Sequence, residues 1–130
     1  MDEQPVYLDA ARPLDERIDD LVSRLTLEEK AGLMVHNARP VERLGIPPYN
    51  WWNECLHGVG RAGRATVFPQ AIGLAATFDP HLVERIAVAV SDEARAKHHA
   101  ALRAGSHEQY TGLTFWTPNI NIFRDPRWGR

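Results

Sequence analysis

The sequence predicts an α/β fold, the front part of a barrel in which helices and strands alternate. Three observations carry that reading. Apolar residues recur at helical spacing between positions 14 and 25, and a long helix with clear start and stop signals begins at Asp79. A short β-prone apolar run, GLTFW, then follows the helix. In barrels of this kind functional residues follow strand ends, so the loops after such runs are where chemistry is expected.

Taken in order, Leu14, Ile18, Leu21, Val22 and Leu25 fall on one stripe after Pro13, which predicts an amphipathic helix over 14–25. Thr26 with Glu29 three residues on makes a capping box that starts a second, short helix. Residues 37–66 hold Pro40, Pro47, Pro48 and several glycines, and predict loop-rich ground around short buried strands. Ala71, Gly73, Ala75 and Ala76 are small enough for close helix packing. Asp79 is the cap and Pro80 the first position of the long helix, with Leu82, Ile86, Ala89, Val90 and Ala94 on one face and Gly105 as its stop. GLTFW has the composition of a buried parallel strand, and the tail TPNINIFRDPRWGR is turn-rich and polar.

Bulk composition excludes several classes. The chain is 130 residues long, 44% hydrophobic and 25% charged, with a net charge of −2. Thirteen Arg outnumber two Lys, but acids are interleaved with them. No basic block argues for nucleic acid or an anionic membrane surface. One cysteine, Cys55, excludes an internal disulfide framework and a cysteine-rich metal site. No stretch has the roughly 18 apolar residues of a membrane span. The acidic N-terminus lacks an apolar signal region, so a cytoplasmic protein is expected unless a leader was removed. The chain stops on Arg130 in a loop, and we expect residues 1–130 to be the N-terminal portion of a larger protein.

The stretch NWWNECLHG, residues 50–58, concentrates reactive and aromatic groups. A thiol nucleophile would use Cys55 and His57, yet such a pair needs a lowered thiol pKa and a bonded partner. A metal site would use His98 and His99, but adjacent helical residues point about 100° apart, whereas ligand pairs sit three or four apart. A sugar site would use indole faces against the C–H faces of a pyranose, with carboxylates and guanidinium forks for its hydroxyls. WWNE and FRDPRWGR each join Trp to charge. The alternative is that Trp51, Trp52 and Trp128 are core or interface aromatics.

The runs YNWWNECLHGVGRAGRATVFPQAIGLAATFD, EARAK and GLTFWTPNINIFRDPRWGR, in that order, resemble the N-terminal barrel domain of glycoside hydrolase family 3. The likeness covers residues 14–130 and is nearest to the β-xylosidase and β-glucosidase members. It implies the N-terminal part of a (β/α)8 TIM-like barrel, incomplete in this chain. It also implies a role for particular residues. Glu54, ahead of His57-Gly58, takes the place of the acid that accepts hydrogen bonds from distal hydroxyls of the −1 sugar. Trp116, fourteen residues before Arg130, matches an aromatic that contacts that sugar. Arg130 matches the arginine that binds its hydroxyls. Arg124 and Asp125 match the same motif as props of the loop. Arg61 lies near, though out of register with, a further arginine of glucosidase-like members.

The family retains anomeric configuration through an aspartate nucleophile and a separate acid/base. Both are expected beyond Arg130, so this chain holds substrate-binding residues and no catalytic ones, and alone is expected to be inactive. No metal and no organic cofactor is implied. The expected partners are a xylo- or gluco-oligosaccharide, the remainder of the barrel and C-terminal domains. The expected activity is exo-hydrolysis of terminal β-D-xylosyl residues; the alternatives are a β-glucosidase or a non-catalytic carbohydrate-binding remnant.

Overall fold

A computed structural model describes residues 4–117. It is a mixed assembly of helices and one small sheet. Helix α1 (Leu14–Arg24) starts at Pro13, whose fixed φ suits a helix entry, with Asp15 and Glu16 in its first turn and Arg24 in its last. Asp20 accepts hydrogen bonds from Tyr7 N at 3.0 Å and from Arg24 Nε at 3.0 Å, tying the helix to the preceding 3-10 turn, Val6–Leu8. The Arg24 hydrogen bond is also the main reason that the Asp20 carboxyl lies below its ordinary pKa. Leu14, Ile18 and Val22, expected to face a core, are exposed among the described residues. Leu21 and Leu25 of the same stripe are half-buried.

Helix α2 (Leu27–Leu33) begins with the predicted reciprocal cap. Glu29 N donates to Thr26 Oγ1 at 3.2 Å, and Thr26 N donates to Glu29 Oε2 at 2.8 Å. Strands β1 (Asn37–Ala38) and β2 (Tyr49–Asn50) pair antiparallel, with Asn37 opposite Asn50 and Ala38 opposite Tyr49. Gly45, at φ +68°, closes the 3-10 turn Glu42–Leu44 between them. Helix α3 (Ala71–Ala75) forms at the small-residue run, but Ala71 and Ala75 are exposed along a cleft rather than pressed against another helix.

Helix α4 (Pro80–Arg103) is the longest element, and both its ends follow the sequence signals. Asp79 Oδ1 accepts from Leu82 N at 3.0 Å. At the other end Ser106 N donates to Ala101 O and Gly105 N to Leu102 O, with Gly105 at φ +69°, the pair of bonds that defines a Schellman stop. The core-facing side is buried Val90 and Ala94 with half-buried Ile86, packed with Val59, Phe68, Leu113 and Phe115. Ala89 is not part of it. One residue, or about 100°, separates it from Val90 around the helix, and it is exposed. GLTFW delivers one parallel bridge, Asn53 to Phe115, rather than a longer strand. Beside this core an apolar cleft of about 610 Å³ opens between α3, α4 and Phe115. Among the described residues, no helix is long and apolar enough to cross a membrane.

Candidate functional site

The stretch 49–55 is held against residues 110–117 by hydrogen bonds that start from two side chains. The Tyr49 hydroxyl oxygen accepts from Leu113 N and Thr114 N, each at 3.1 Å, and lies 2.7 Å from Thr114 Oγ1. Asn53 is 1% exposed. Its Nδ2 donates to Asn50 O at 2.9 Å and Thr114 O at 3.3 Å, while its Oδ1 accepts from Gly112 N at 2.8 Å. Gly112 N can only donate, so that contact fixes which way the amide points. Gly112 fits there because a Cβ would stand 2.6 Å from Asn53 Nδ2 and 2.8 Å from the Tyr49 hydroxyl. Backbone bonds complete the seam: Trp116 N to Asn53 O at 2.9 Å and Tyr110 N to Trp52 O at 3.1 Å.

This seam brings the indoles together. Trp52 and Trp116 lie with ring centroids 5.0 Å apart and planes tilted by 37°. His36 meets Trp52 edge-on at 5.4 Å, and Trp51 packs edge-on to Tyr49 at 4.9 Å. Trp51, Trp52 and Trp116 are 41%, 40% and 54% exposed, so much of their ring area faces outward. Exposed indoles held this firmly are unlike core aromatics, which bury their faces.

Glu54 and Trp116 each follow a residue of the Asn53–Phe115 bridge, and so leave the seam at the same level. The Glu54 carboxylate accepts from Leu56 N at 3.3 Å and lies 3.4 Å from Arg61 Nε. Arg61, whose sequence position gave it no clear role, is thus paired with Glu54, and its guanidinium also lies 5.8 Å from the centroid of the Tyr110 ring. Arg61 stands on the 3-10 turn Gly60–Ala62, whose last carbonyl accepts from Lys97 Nζ of α4 at 3.0 Å. Arg130, Arg124, Asp125 and Trp128 lie outside the described residues. Asn53, Tyr49 and Tyr110 had no place among the sequence candidates.

The thiol loses its case as a nucleophile. Cys55 packs against the core cluster, and burial pushes its pKa up; Thr117 lowers it in part and the nearby Glu54 charge raises it further. A folded pKa above the unfolded one leaves less thiolate in the native protein at any pH below both. Iodoacetamide at pH 8 is therefore expected to alkylate native Cys55 more slowly than the same chain in urea. A native rate equal to or above the unfolded one would return Cys55 to the candidates. His98 Nδ1 lies 2.8 Å from Thr111 O, an anchor between α4 and the 110–117 segment. No three His, Cys, Asp or Glu side chains converge on a metal position among the described residues.

Open indole faces and a carboxylate–guanidinium pair, on loops leaving a parallel bridge, are groups whose chemistry suits the C–H faces and hydroxyls of a sugar ring. The sequence model of the glycosyl hydrolase family 3 N terminal domain matches residues 20–130, and the chain belongs to that family. It is 50% identical over 127 residues to beta-xylosidase/alpha-L-arabinofuranosidase 2 of Medicago sativa subsp. varia, covering 90% of this chain and 15% of that protein. It is 48% identical over 134 residues to beta-D-xylosidase 3 of Arabidopsis thaliana, covering 95% and 16%. Against the xylan 1,4-beta-xylosidase of Xylanibacter ruminicola it is 48% identical over 117 residues, covering 88% and 14%. The chain thus spans 14–16% of the length of these relatives.

Proposed function

We propose that this chain is the N-terminal part of a retaining, exo-acting β-glycosidase that removes terminal β-D-xylosyl residues from xylo-oligosaccharides. In this reading residues 1–130 open a (β/α)8 barrel. The observation that carries it is Glu54, a half-buried carboxylate fixed by Leu56 N and Arg61 beside an open indole surface. The sugars in the names of the relatives, xylose and arabinose, are pentoses, which agrees with the length of that side chain.

In the proposed site Glu54 accepts hydrogen bonds from the distal hydroxyls of the terminal sugar, and Trp116 lays its indole against the ring. Arg130 donates two parallel hydrogen bonds to vicinal hydroxyls, a geometry that a lysine point charge does not reproduce. The nucleophilic aspartate and the acid/base of the two-step displacement come from outside these residues. The contribution of this chain is to bind and orient the sugar that they act on.

Glu54 also sets the choice of sugar. Compared with Asp it extends about 1.5 Å further, one C–C bond, into the volume where the hydroxymethyl group of a glucoside would lie. A xyloside has no such group. Differences of one carbon in a pocket are worth about 1–3 kcal/mol. In the enzyme carrying this segment, Glu54→Asp is expected to move the xyloside-to-glucoside ratio of kcat/KM toward glucose by roughly 10- to 100-fold. Measuring both p-nitrophenyl glycosides on both proteins checks this. An unchanged ratio would reduce Glu54 to a cap on Leu56 N, which Asp serves equally well.

A further inference from the structure

The loop that enters GLTFW contains a backbone conformation that its residue type does not favour. Tyr110 has φ +68°, in the left-handed region, where a Cβ and an aromatic ring are strained. A turn alone would be served by glycine, as it is five residues earlier at Gly105, φ +69°. At Tyr110 the backbone instead carries a ring, and two contacts define where that ring goes. Tyr110 N donates to Trp52 O at 3.1 Å, fixing the residue to the aromatic seam. Its ring then lies 5.8 Å from the Arg61 guanidinium carbon.

Arg61 needs such a support. Its side chain is 66% exposed, against 26% for Glu54, and one contact of 3.4 Å from its Nε joins the two. An exposed arginine with that single long contact retains most of its rotamer freedom, and ion pairs of this kind hold little on their own. An aromatic face adds a second, direction-dependent attraction and a wall that removes rotamers. The backbone beneath Arg61 is already fixed by Lys97. Its guanidinium thus has two partners, the Tyr110 ring and the Glu54 carboxylate.

We infer that Tyr110 is a positioning residue: through Arg61 it holds the Glu54 carboxylate in the orientation that receives the sugar hydroxyls. The inference rests on the reading of Glu54 as a sugar ligand. Tyr110 touches no sugar itself. It converts a strained turn into a fixed guanidinium, and the fixed guanidinium into a pre-oriented acceptor, so that binding the sugar costs less ordering.

The test uses the complete glycosidase carrying this chain, with p-nitrophenyl xyloside as the probe. Tyr110→Leu and Tyr110→Gly both remove the ring, and the glycine also relieves the backbone. Each is expected to raise KM by about 3- to 10-fold with a smaller change in kcat, the range that loss of a cation–π contact allows. Tyr110→Phe, which keeps the ring face, is expected to restore KM. When Arg61→Ala is already present, Tyr110→Gly is expected to add nothing, because the route through Arg61 is gone. Additive losses in that double variant, or an unchanged KM in Tyr110→Gly alone, would overturn the inference. Glu54→Ala separates the two readings. If it leaves KM unaltered, the sugar-ligand reading fails and this inference goes with it; if it raises KM while Tyr110→Gly does not, the inference alone fails.

Discussion

Gly58→Ala is expected to be the most damaging single methyl addition in this segment. Gly58 sits at φ +118°, beyond the left-handed well that asparagine or aspartate tolerates, and a Cβ there would stand 2.3 Å from Thr66 O. That oxygen cannot withdraw easily. Thr66 N and Oγ1 both bond the Glu93 carboxylate on α4, and Phe68 N donates to His57 O at 2.8 Å. Relieving the clash means pulling 57–58 away from 66–68, and with it the turn that carries Glu54. Backbone strain and overpacking each cost about 1–3 kcal/mol, so a loss of roughly 3–5 kcal/mol is expected. Gly45→Ala is the control. Its φ is also positive, at +68°, but nothing lies within 4 Å of the added carbon. It should cost only about 1 kcal/mol. Urea unfolding of the two variants in the same protein checks the difference. Equal midpoints would mean that the close approach at Gly58 relaxes freely.

The helices were legible because their signals are local. The Thr26–Glu29 box, the Asp79 cap, Pro80 and Gly105 act within one turn of the backbone they terminate, and each lies where the sequence places it. The i, i+4 series Ile86, Val90 and Ala94 was equally readable, whereas Ala89 belongs by spacing to the neighbouring stripe. Strands of two residues have no period to read, so the pairing of 37–38 with 49–50 had no sequence signature. Small residues at 71–76 marked a helix but not its surroundings. At the candidate site, Trp, Glu and Arg could be singled out by residue type, yet the residues that hold them did not stand out. Asn53 is polar and would ordinarily be assigned to solvent; only the fold shows it 1% exposed among backbone groups from two distant segments. Arg61 and Glu54 are seven apart, a spacing with no helical or strand meaning here, and a 3-10 turn brings them together.

Asn53→Asp tests whether that buried amide is the clasp of the site. The substitution keeps size and shape, and it keeps the acceptor for Gly112 N. It replaces the amide donor that serves Asn50 O and Thr114 O with a carboxylate oxygen facing two carbonyl oxygens. A buried charge and two lost donor bonds then act together, each unmade bond costing about 1–3 kcal/mol, for an expected loss of roughly 3–5 kcal/mol at neutral pH. The loss should depend on pH in a defined direction. Burial and the facing carbonyls disfavour the ionised form, so the introduced carboxyl titrates higher in the folded state than its unfolded value of about 3.9. Between those two values the folded state binds more protons than the unfolded one, and stability falls as pH rises. Below about pH 4 both states are protonated, and the carboxylic acid can donate one of the two lost bonds, so part of the deficit against the parent should disappear there. Urea midpoints for parent and variant at pH 4, 5.5 and 7 measure this difference directly. A variant as stable as the parent at every pH would show that no donor is required at this position, and the seam joining Glu54 to Trp116 would then depend on the Tyr49 and Thr117 hydroxyls and the backbone bonds.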